Sequence, residues 1–259
     1  MRFALGVAFC LLALPAAANT VTLRFVYEDR PLFPYYLGDG SSQPRWPGVT
    51  IELLRQLEKK VPGLKISFER MPWQRCLASV KKGSADAVVA SYRKDREDTG
   101  VFPMAGERPD PGMRLDSHNY VLYKLRTSPL TWDGSRMQQL EGSVGAPLGY
   151  AIVEDLRALG VRVEESHAVT SDLWKLRSGK LAAVAAPEAI GDYHVREGQF
   201  TDVVKVAPRL ATKDYYLMVS HSFARKHPDL TKKIWSALAE ISQAQTATLI
   251  ARYLDMTAE

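Results

Sequence analysis

The chain contains one order of apolar patterns twice, and this duplication limits the folds that it can adopt. Each copy reads strand, helix, strand, helix, strand: the strands are short alternating or continuous apolar runs, and the helices carry apolar side chains three or four positions apart. In the first copy the segments are residues 21–28, 49–61, 64–68, 73–83 and 85–90. In the second copy they are residues 143–148, 150–159, 161–165, 172–178 and 181–186. The copies also end alike, since residues 82–90 can be aligned with residues 178–186.

Alternating strands and helices predict an α/β fold, because parallel strands are joined through helical crossovers. Two copies predict two similar lobes, each a parallel-type sheet with flanking helices. Ligands of such open sheets bind beyond the carboxyl ends of the strands. Two lobes that face each other therefore enclose a cleft in which a ligand can bind.

Two further strands are predicted to link the lobes, at residues 119–125 and 215–220, and a long helix begins near Pro228. Two linking strands side by side form a hinge about which the lobes can close. We therefore expect residues 19–121 in lobe 1 and residues 122–216 in lobe 2. Residues 217–259 then return to lobe 1 and end in the C-terminal helix.

The first 18 residues are typical of a secretory signal peptide. Arg2 precedes an apolar run over residues 3–14, and small residues then lead to a predicted cleavage after Ala18. The run is too short to span a bilayer. The mature protein is therefore predicted in the periplasm. It retains only Cys76, which lies on the apolar face of a predicted helix and is expected to be a buried structural thiol rather than a nucleophile.

The composition excludes other classes of protein. With 46% hydrophobic and 24% charged residues, the chain is not of the disordered type. The formal net charge is +5, from 34 Lys and Arg against 29 Asp and Glu, but the charges are scattered along the chain. We therefore expect no nucleic-acid partner, because such binding needs a concentrated basic surface.

Several segments, taken in order, carry a resemblance to a known family. They are an aromatic-proline loop at residues 27–36, the start of the first helix at residues 48–54 and a Pro-Trp-x-Arg segment at residues 71–75. A Ser-Tyr-Arg-Lys-Asp-Arg segment followed by Phe-Pro lies at residues 91–103, and the opening of the second lobe at residues 144–150. Together they are similar to extracellular solute-binding protein family 3, the periplasmic binding proteins that serve ABC importers. The resemblance implies the two-lobed type II periplasmic-binding-protein fold with a two-strand hinge. It further implies a small-molecule ligand, a membrane permease as partner, no cofactor, and a monomer.

Arg96 is the first ligand-binding candidate. In the family, an arginine six positions before the phenylalanine of the Phe-Pro motif holds a ligand carboxylate, and Arg96 and Phe102 keep that spacing. A guanidinium suits this role because its planar fork of donors matches two carboxylate oxygens. Ser91, five residues before Arg96, is implied to contact the ligand through its hydroxyl or backbone. The alternatives are a surface arginine paired with a neighbouring carboxylate and a serine that caps a strand end.

Four more candidates come from the first lobe. Trp73 is expected either to stack on the ligand or to pack in the core, and Arg75 either to reach an anionic ligand or to lie in solvent. Glu28 is a candidate for binding a ligand amine, and Tyr35 for an apolar wall. The alternative for both is a packed aromatic loop below the first strand.

The second lobe departs from the family in two places. Many relatives follow the glycine with Ser or Thr, whereas Gly149 is followed by Tyr150, so we expect the tyrosine hydroxyl and backbone N–H groups to replace those contacts. Amino-acid binders usually carry an aspartate where this chain has Pro187, with Glu188 next. Either Glu188 substitutes for that aspartate, or the ligand lacks the usual α-amino group.

The sequence favours a binding protein over an enzyme. The five histidines show no metal-like i, i+4 pair, and no nucleophile-elbow or phosphate-loop motif is present. Two well-placed carboxylates can still perform acid–base chemistry. A periplasmic lyase, a dehydratase on the same fold with Glu28 or Glu188 as base, therefore stays open as an alternative. So does a ligand-sensing partner of a membrane receptor.

Overall fold

The computed structural model of the protein describes residues 20–38 and 44–256. The predicted signal peptide and its cleavage position lie outside the described residues. The first copy of the pattern forms the expected elements in order: β1 Val21–Glu28, α1 Val49–Lys60, β2 Leu64–Met71, α2 Trp73–Lys82 and β3 Ala87–Ser91. α2 ends at Gly83, whose positive φ of 73° suits a residue without a side chain.

The chain then passes through short strands and one long strand: β4 Met104–Ala105, β5 Arg108–Pro109, β6 Asp116–Leu125, β7 Thr131–Trp132 and β8 Met137–Gln138. The second copy also forms the predicted elements: β9 Val144–Pro147, α3 Ala151–Ala158, β10 Val163–Ser166, α4 Val169–Arg177 and β11 Ala183–Pro187. The remaining elements complete the fold: α5 Glu188–Glu197, β12 Val203–Val219, α6 His221–Lys226 and α7 Pro228–Asp255.

Two of these elements differ from the expectation. α5 was not predicted, and β12 begins at Val203, well before the predicted strand at residue 215. The first part of β12 is largely exposed and carries polar residues such as Lys205 and Thr212. Its short apolar start at Val203, Val204 and Val206 is interrupted by Pro208, and the residues that follow form a strand because they pair with β6.

Eight of the described strands form the main sheet, in the order β10-β9-β11-β6-β12-β3-β1-β2, while β4 pairs with β5 and β7 pairs with β8 in two small antiparallel sheets. β1 is parallel to β2 and β3, and β9 is parallel to β10 and β11, as expected. The two parallel groups are the expected sheets of the two lobes, and β6 and β12 join them through antiparallel pairing. β6 pairs with β11 of the second group, β12 pairs with β3 of the first group, and the two strands, 10 and 17 residues long, pair with each other. They are the two predicted linking strands, and they lie side by side.

Each half of the sheet is covered on both faces. In the first half, α1 and α7 bury Leu54 and Ile234 on one face, and α2 buries Val80 on the other. In the second half, α3 buries Leu156 on one face, while α4 and α5 cover the opposite face around Leu173. Two-sided coverage explains why β3 and β11 are continuous apolar runs.

The C-terminal helix packs against the first half. The Tyr253 hydroxyl accepts a hydrogen bond from the Gly48 N–H at 2.9 Å and donates one to Glu52 of α1. The expected lobe boundaries, after residues 121 and 216, fall inside β6 and β12, the two strands that the halves share. Among the helices that the structure describes, none is both long and apolar enough to cross a membrane.

Candidate functional site

A cavity of about 40 Å³ lies where the two halves of the sheet meet. β1 and β3 of the first half end at its wall with Glu28 and Ser91, and the turn after β9 brings Tyr150 from the second half. The carboxyl ends of parallel strands therefore meet at one place, as the fold predicts. Six of the candidate residues line this cavity: Glu28, Tyr35, Trp73, Ser91, Arg96 and Tyr150.

Arg96 lies in a short 3₁₀ turn after β3, and only 5% of its surface is exposed. It donates to the Ser91 carbonyl at 2.7 Å, to the Ser91 hydroxyl at 2.9 Å and to the Gly149 carbonyl at 2.9 Å. Its guanidinium lies 5.5 Å from the Trp73 ring centroid. Burial lowers the pKa of Arg96, because desolvation disfavours its charged form.

The neighbouring carboxylates do not pair with Arg96. Asp95 forms a salt bridge with Arg93, and Glu97 forms one with Lys94. Within the described residues no salt bridge involves Arg96. The alternative of a surface arginine paired with Asp95 or Glu97 is therefore not what the structure contains.

Glu28 and Tyr150 form a hydrogen bond across the cleft. The Tyr150 hydroxyl donates to Oε2 of Glu28 at 2.5 Å. Burial raises the pKa of Glu28 to about 7, although the bond from Tyr150 acts in the opposite direction. The carboxyl group therefore changes charge near neutral pH, at the centre of the cavity.

Gly149 lies where the second half meets the start of α2. Its φ is +71°, which suits a residue without a side chain, and a Cβ at this position would displace the amide end of the exposed Gln74 side chain. Its carbonyl accepts from Arg96 and, at 3.3 Å, from Nε1 of Trp73. Trp73 also meets the Tyr150 ring edge-on, with centroids 6.0 Å apart. Trp73 thus faces the cleft and contacts the second half.

The backbone N–H groups after β9 are used differently from the expectation. The Gly149 N–H donates to Oε2 of Glu165 at 2.8 Å, and the Tyr150 N–H donates to the Pro147 carbonyl. They are therefore already bonded within the second half, because the turn folds back on β9 and β10.

An aromatic stack that the sequence analysis missed lies at the linking strands. The His118 ring is stacked between Tyr35 and Tyr215, with centroids 4.0 Å away on each side. The Tyr215 hydroxyl is 2.7 Å from that of Tyr120. Alternation in β6 places His118 and Tyr120 on one face of the strand, but only the pairing of β6 with β12 brings Tyr215 beside them.

Two candidates lie away from the cavity. Glu188 begins α5 and accepts a hydrogen bond from Lys205 at 2.5 Å, which lowers the pKa of the glutamate. Its other oxygen accepts from Asn119 at 3.3 Å. Arg75 is exposed, because α2 turns the neighbouring Trp73 toward the cleft instead. The structure thus does not bring Glu188 and Arg75 into the cavity with Arg96.

Cys76 is buried, as expected, and burial raises the pKa of its thiol. Across residues 20–38 and 44–256, no group of three His, Cys, Asp or Glu side chains is arranged to hold a metal ion.

No family model matches the chain, and no curated protein matches it in sequence. Solved structures match it in fold over nearly their whole length. A histidine kinase sensor domain with similarity to periplasmic binding proteins has 20% identity and a TM-score of 0.70, covering 91% of this chain and 97% of that one. An ancestral amino acid-binding protein, a precursor of cyclohexadienyl dehydratase, has 14% identity and a TM-score of 0.67, covering 90% and 95%. The substrate binding protein of an amino acid ABC transporter has 13% identity and a TM-score of 0.63, covering 91% and 98%.

These likenesses establish the two-lobed fold of the periplasmic binding proteins for this chain. They confirm the expected resemblance to solute-binding proteins at the level of the fold.

Proposed function

We propose that this protein is an exported solute-binding protein that captures a small carboxylate-bearing solute between its lobes and delivers it to an ABC importer. The solute is an amino acid or a related organic acid. The observation that carries the proposal is Arg96, a buried guanidinium at the inter-lobe cavity whose bonds in the described chain go to neutral oxygens. Burying such a charge is costly, and a ligand carboxylate would provide a charge-assisted bidentate partner.

The fold supplies the motion that the proposal needs. β6 and β12 are the two adjacent links between the lobes, so bending them opens the cleft without disturbing either core. A ligand that contacts both lobes stabilises the closed form. The closed surface is what a membrane permease recognises in the proposed transport role.

The positions of the other residues around the cavity indicate their proposed roles. Ser91 lies beside Arg96, while Trp73 and Tyr35 form apolar walls. Glu28 and Tyr150 supply polar groups from opposite lobes. Arg75 and Glu188 are left out of the proposed site because neither faces the cavity.

The proposed localisation is the periplasm, with the signal peptide removed near Ala18, and the proposed working state is a monomer. Both rest on the sequence pattern of residues 1–18 and on the resemblance to the binding-protein family.

The test is a thermal-shift screen of the mature protein with amino acids, keto acids, polyamines and small carboxylates. A ligand that binds only the folded state at 100 times its Kd stabilises it by about 2.7 kcal/mol. Calorimetry on Arg96→Lys, which keeps the charge but loses the planar fork, is expected to show at least about tenfold weaker carboxylate binding. Arg75→Ala is the matched control and should bind as wild type does. Unchanged binding by Arg96→Lys and Arg96→Ala would contradict the proposal.

One observation favours a second candidate, a lyase. Glu28 has a pKa of about 7 and touches the Tyr150 hydroxyl, so it can accept or donate a proton near neutral pH. Incubating each hit with the protein and following it by NMR separates the two functions. A ligand recovered unchanged supports binding, whereas product that forms with wild type and not with Glu28→Gln supports the lyase.

A sensing role is supported by the fold of the histidine kinase sensor domain reported above. In a sensing role this protein would close on its ligand in the same way, and the closed form would bind a membrane receptor instead of a permease. Co-purification of the liganded protein with a permease or with a receptor would distinguish the two.

A further inference from the structure

Two hydrogen bonds across the cleft occupy the groups that the proposed function assigns to the ligand. Arg96 donates to the Gly149 carbonyl oxygen at 2.9 Å, where a ligand carboxylate oxygen would bind. Glu28 accepts from the Tyr150 hydroxyl at 2.5 Å, where a ligand amine or hydroxyl would donate. Both partners come from adjacent residues of the second lobe.

The remaining space is too small for a ligand beside these two residues. The cavity holds about 40 Å³, whereas sites for small organic ligands hold roughly 300–1,000 Å³. The Tyr150 ring fills the space between Glu28 and the edge of Trp73. A ligand that reaches both Arg96 and Glu28 must therefore displace Tyr150.

We infer that Gly149 and Tyr150 act as a built-in occupant that holds the unliganded cleft closed, and that the ligand is a carboxylate with a hydrogen-bond donor several bonds away. This inference rests on the proposed function of the site. It adds the class of ligand and the residue with which that ligand competes.

The ligand class follows from the distance that the occupant spans. The Gly149 carbonyl and the Tyr150 hydroxyl are separated by one peptide bond and the whole tyrosine side chain. The ammonium and carboxylate of a small α-amino acid are attached to one carbon, so such a molecule matches the span of this occupant less well than a longer one does. A chain or ring of several carbons between carboxylate and amine spans the two, and the aromatic walls formed by Trp73 and Tyr35 suit its apolar middle.

The structure also has room for the displaced tyrosine. Two cavities of about 110 and 230 Å³ adjoin the central one, and each is lined by Tyr150 and Glu28. Arg30 and His167 line the outer walls of both. In the inferred motion, the Tyr150 side chain rotates toward one of these two cavities and vacates the central site.

The first test uses calorimetry with unbranched ω-amino carboxylates from glycine to 6-aminohexanoate, each compared with the carboxylate of equal length that lacks the amine. The advantage of the amine is expected to appear only in the longer compounds and to be lost in Glu28→Gln. Tyr150→Phe keeps the ring but removes the competing bond, so it should bind the longer amino carboxylates about tenfold more tightly. Glycine binding most tightly, or weaker binding by Tyr150→Phe, would overturn the inference.

The second test needs no ligand. X-ray scattering of the unliganded proteins should give a compact particle for wild type and a larger radius of gyration for Tyr150→Phe. Tyr92→Phe is the matched control, because it removes a tyrosine–glutamate bond of 2.6 Å to Glu97 within the first lobe, and it should scatter as wild type does. Equal radii for wild type and Tyr150→Phe refute the built-in occupant. If no carboxylate binds any variant, the proposed function fails, and the scattering result still decides the inference.

Discussion

Asp172 offers a prediction whose size follows from the structure. Its side chain lies in the first turn of α4 with 0% exposure, and neither carboxyl oxygen has a hydrogen-bond partner of good geometry among the described residues, although the Ser166 hydroxyl lies near enough to lower the pKa. It sits against β9, where a Cβ on Gly145 would lie 3.0 Å from its carboxyl carbon. Burial raises the pKa of Asp172 to about 6, above the ordinary value of 3.8 for an aspartate. The ionised form therefore destabilises the folded protein.

The pH dependence of the stability follows from the difference between the folded and unfolded pKa values of Asp172. An acid whose folded pKa lies above its unfolded pKa lowers stability when both states are ionised, and it ceases to do so below both values. With folded and unfolded pKa values of about 6 and 3.8, the cost is about 0.5 kcal/mol at pH 4 and about 3 kcal/mol at pH 8. Asp172→Asn removes this charge. Because the amide is itself a buried polar group, about 3 kcal/mol is the upper limit of the gain.

The assay is urea denaturation of wild type and Asp172→Asn at several pH values between 4 and 8. The variant should become more stable than wild type as pH rises, with most of the difference gained between pH 4 and 6. Asp255→Asn, an exposed change near the end of α7, is the control and should stay within about 0.5 kcal/mol throughout. A stability difference between wild type and Asp172→Asn that does not change with pH would refute this reasoning.

Two further predictions concern close contacts. Gly149→Ala and Gly160→Ala should each lower the free energy of unfolding in urea by about 1–2 kcal/mol, because both positions have a positive φ, +71° and +76°, and the exposed Gln74 side chain can move away from a methyl at position 149; a much larger loss for Gly149→Ala would show that Gln74 cannot move. Tyr253→Phe should lower the free energy of unfolding in urea by about 1–3 kcal/mol, because it leaves the buried Gly48 N–H without its partner. A loss below about 0.5 kcal/mol would show that this hydrogen bond does not stabilise the fold.

Much of the fold could be predicted because each element carries its own local pattern. β3 and β11 are apolar runs, and α2 has its apolar residues at helical spacing and ends at Gly83. The first part of β12 has only a short apolar signal at Val203, Val204 and Val206, and the polar residues after Pro208 form a strand through their pairing with β6. The joining of the two parallel groups through β6 and β12 likewise depends on pairing between strands that are distant in sequence.

Some of the candidate residues could also be placed from the sequence, and others could not. Glu28 and Ser91 could be placed at the cleft because each ends a strand whose direction the pattern predicts. Arg75 and Glu188 could not, because the side that a residue faces near the start of a helix depends on how that helix packs. The stack of His118 and its neighbouring tyrosines combines a loop with two distant strands, so no local spacing indicates it.

By itself, then, the sequence determined the repeated strand–helix order, the two cores and the residues at the strand ends, because these depend on periodicity within about ten neighbouring residues. Only the tertiary structure decided that Gly149 meets Arg96 and that Tyr150 meets Glu28. Those contacts join residues more than fifty positions apart, and they depend on the angle at which β6 and β12 hold the two halves together.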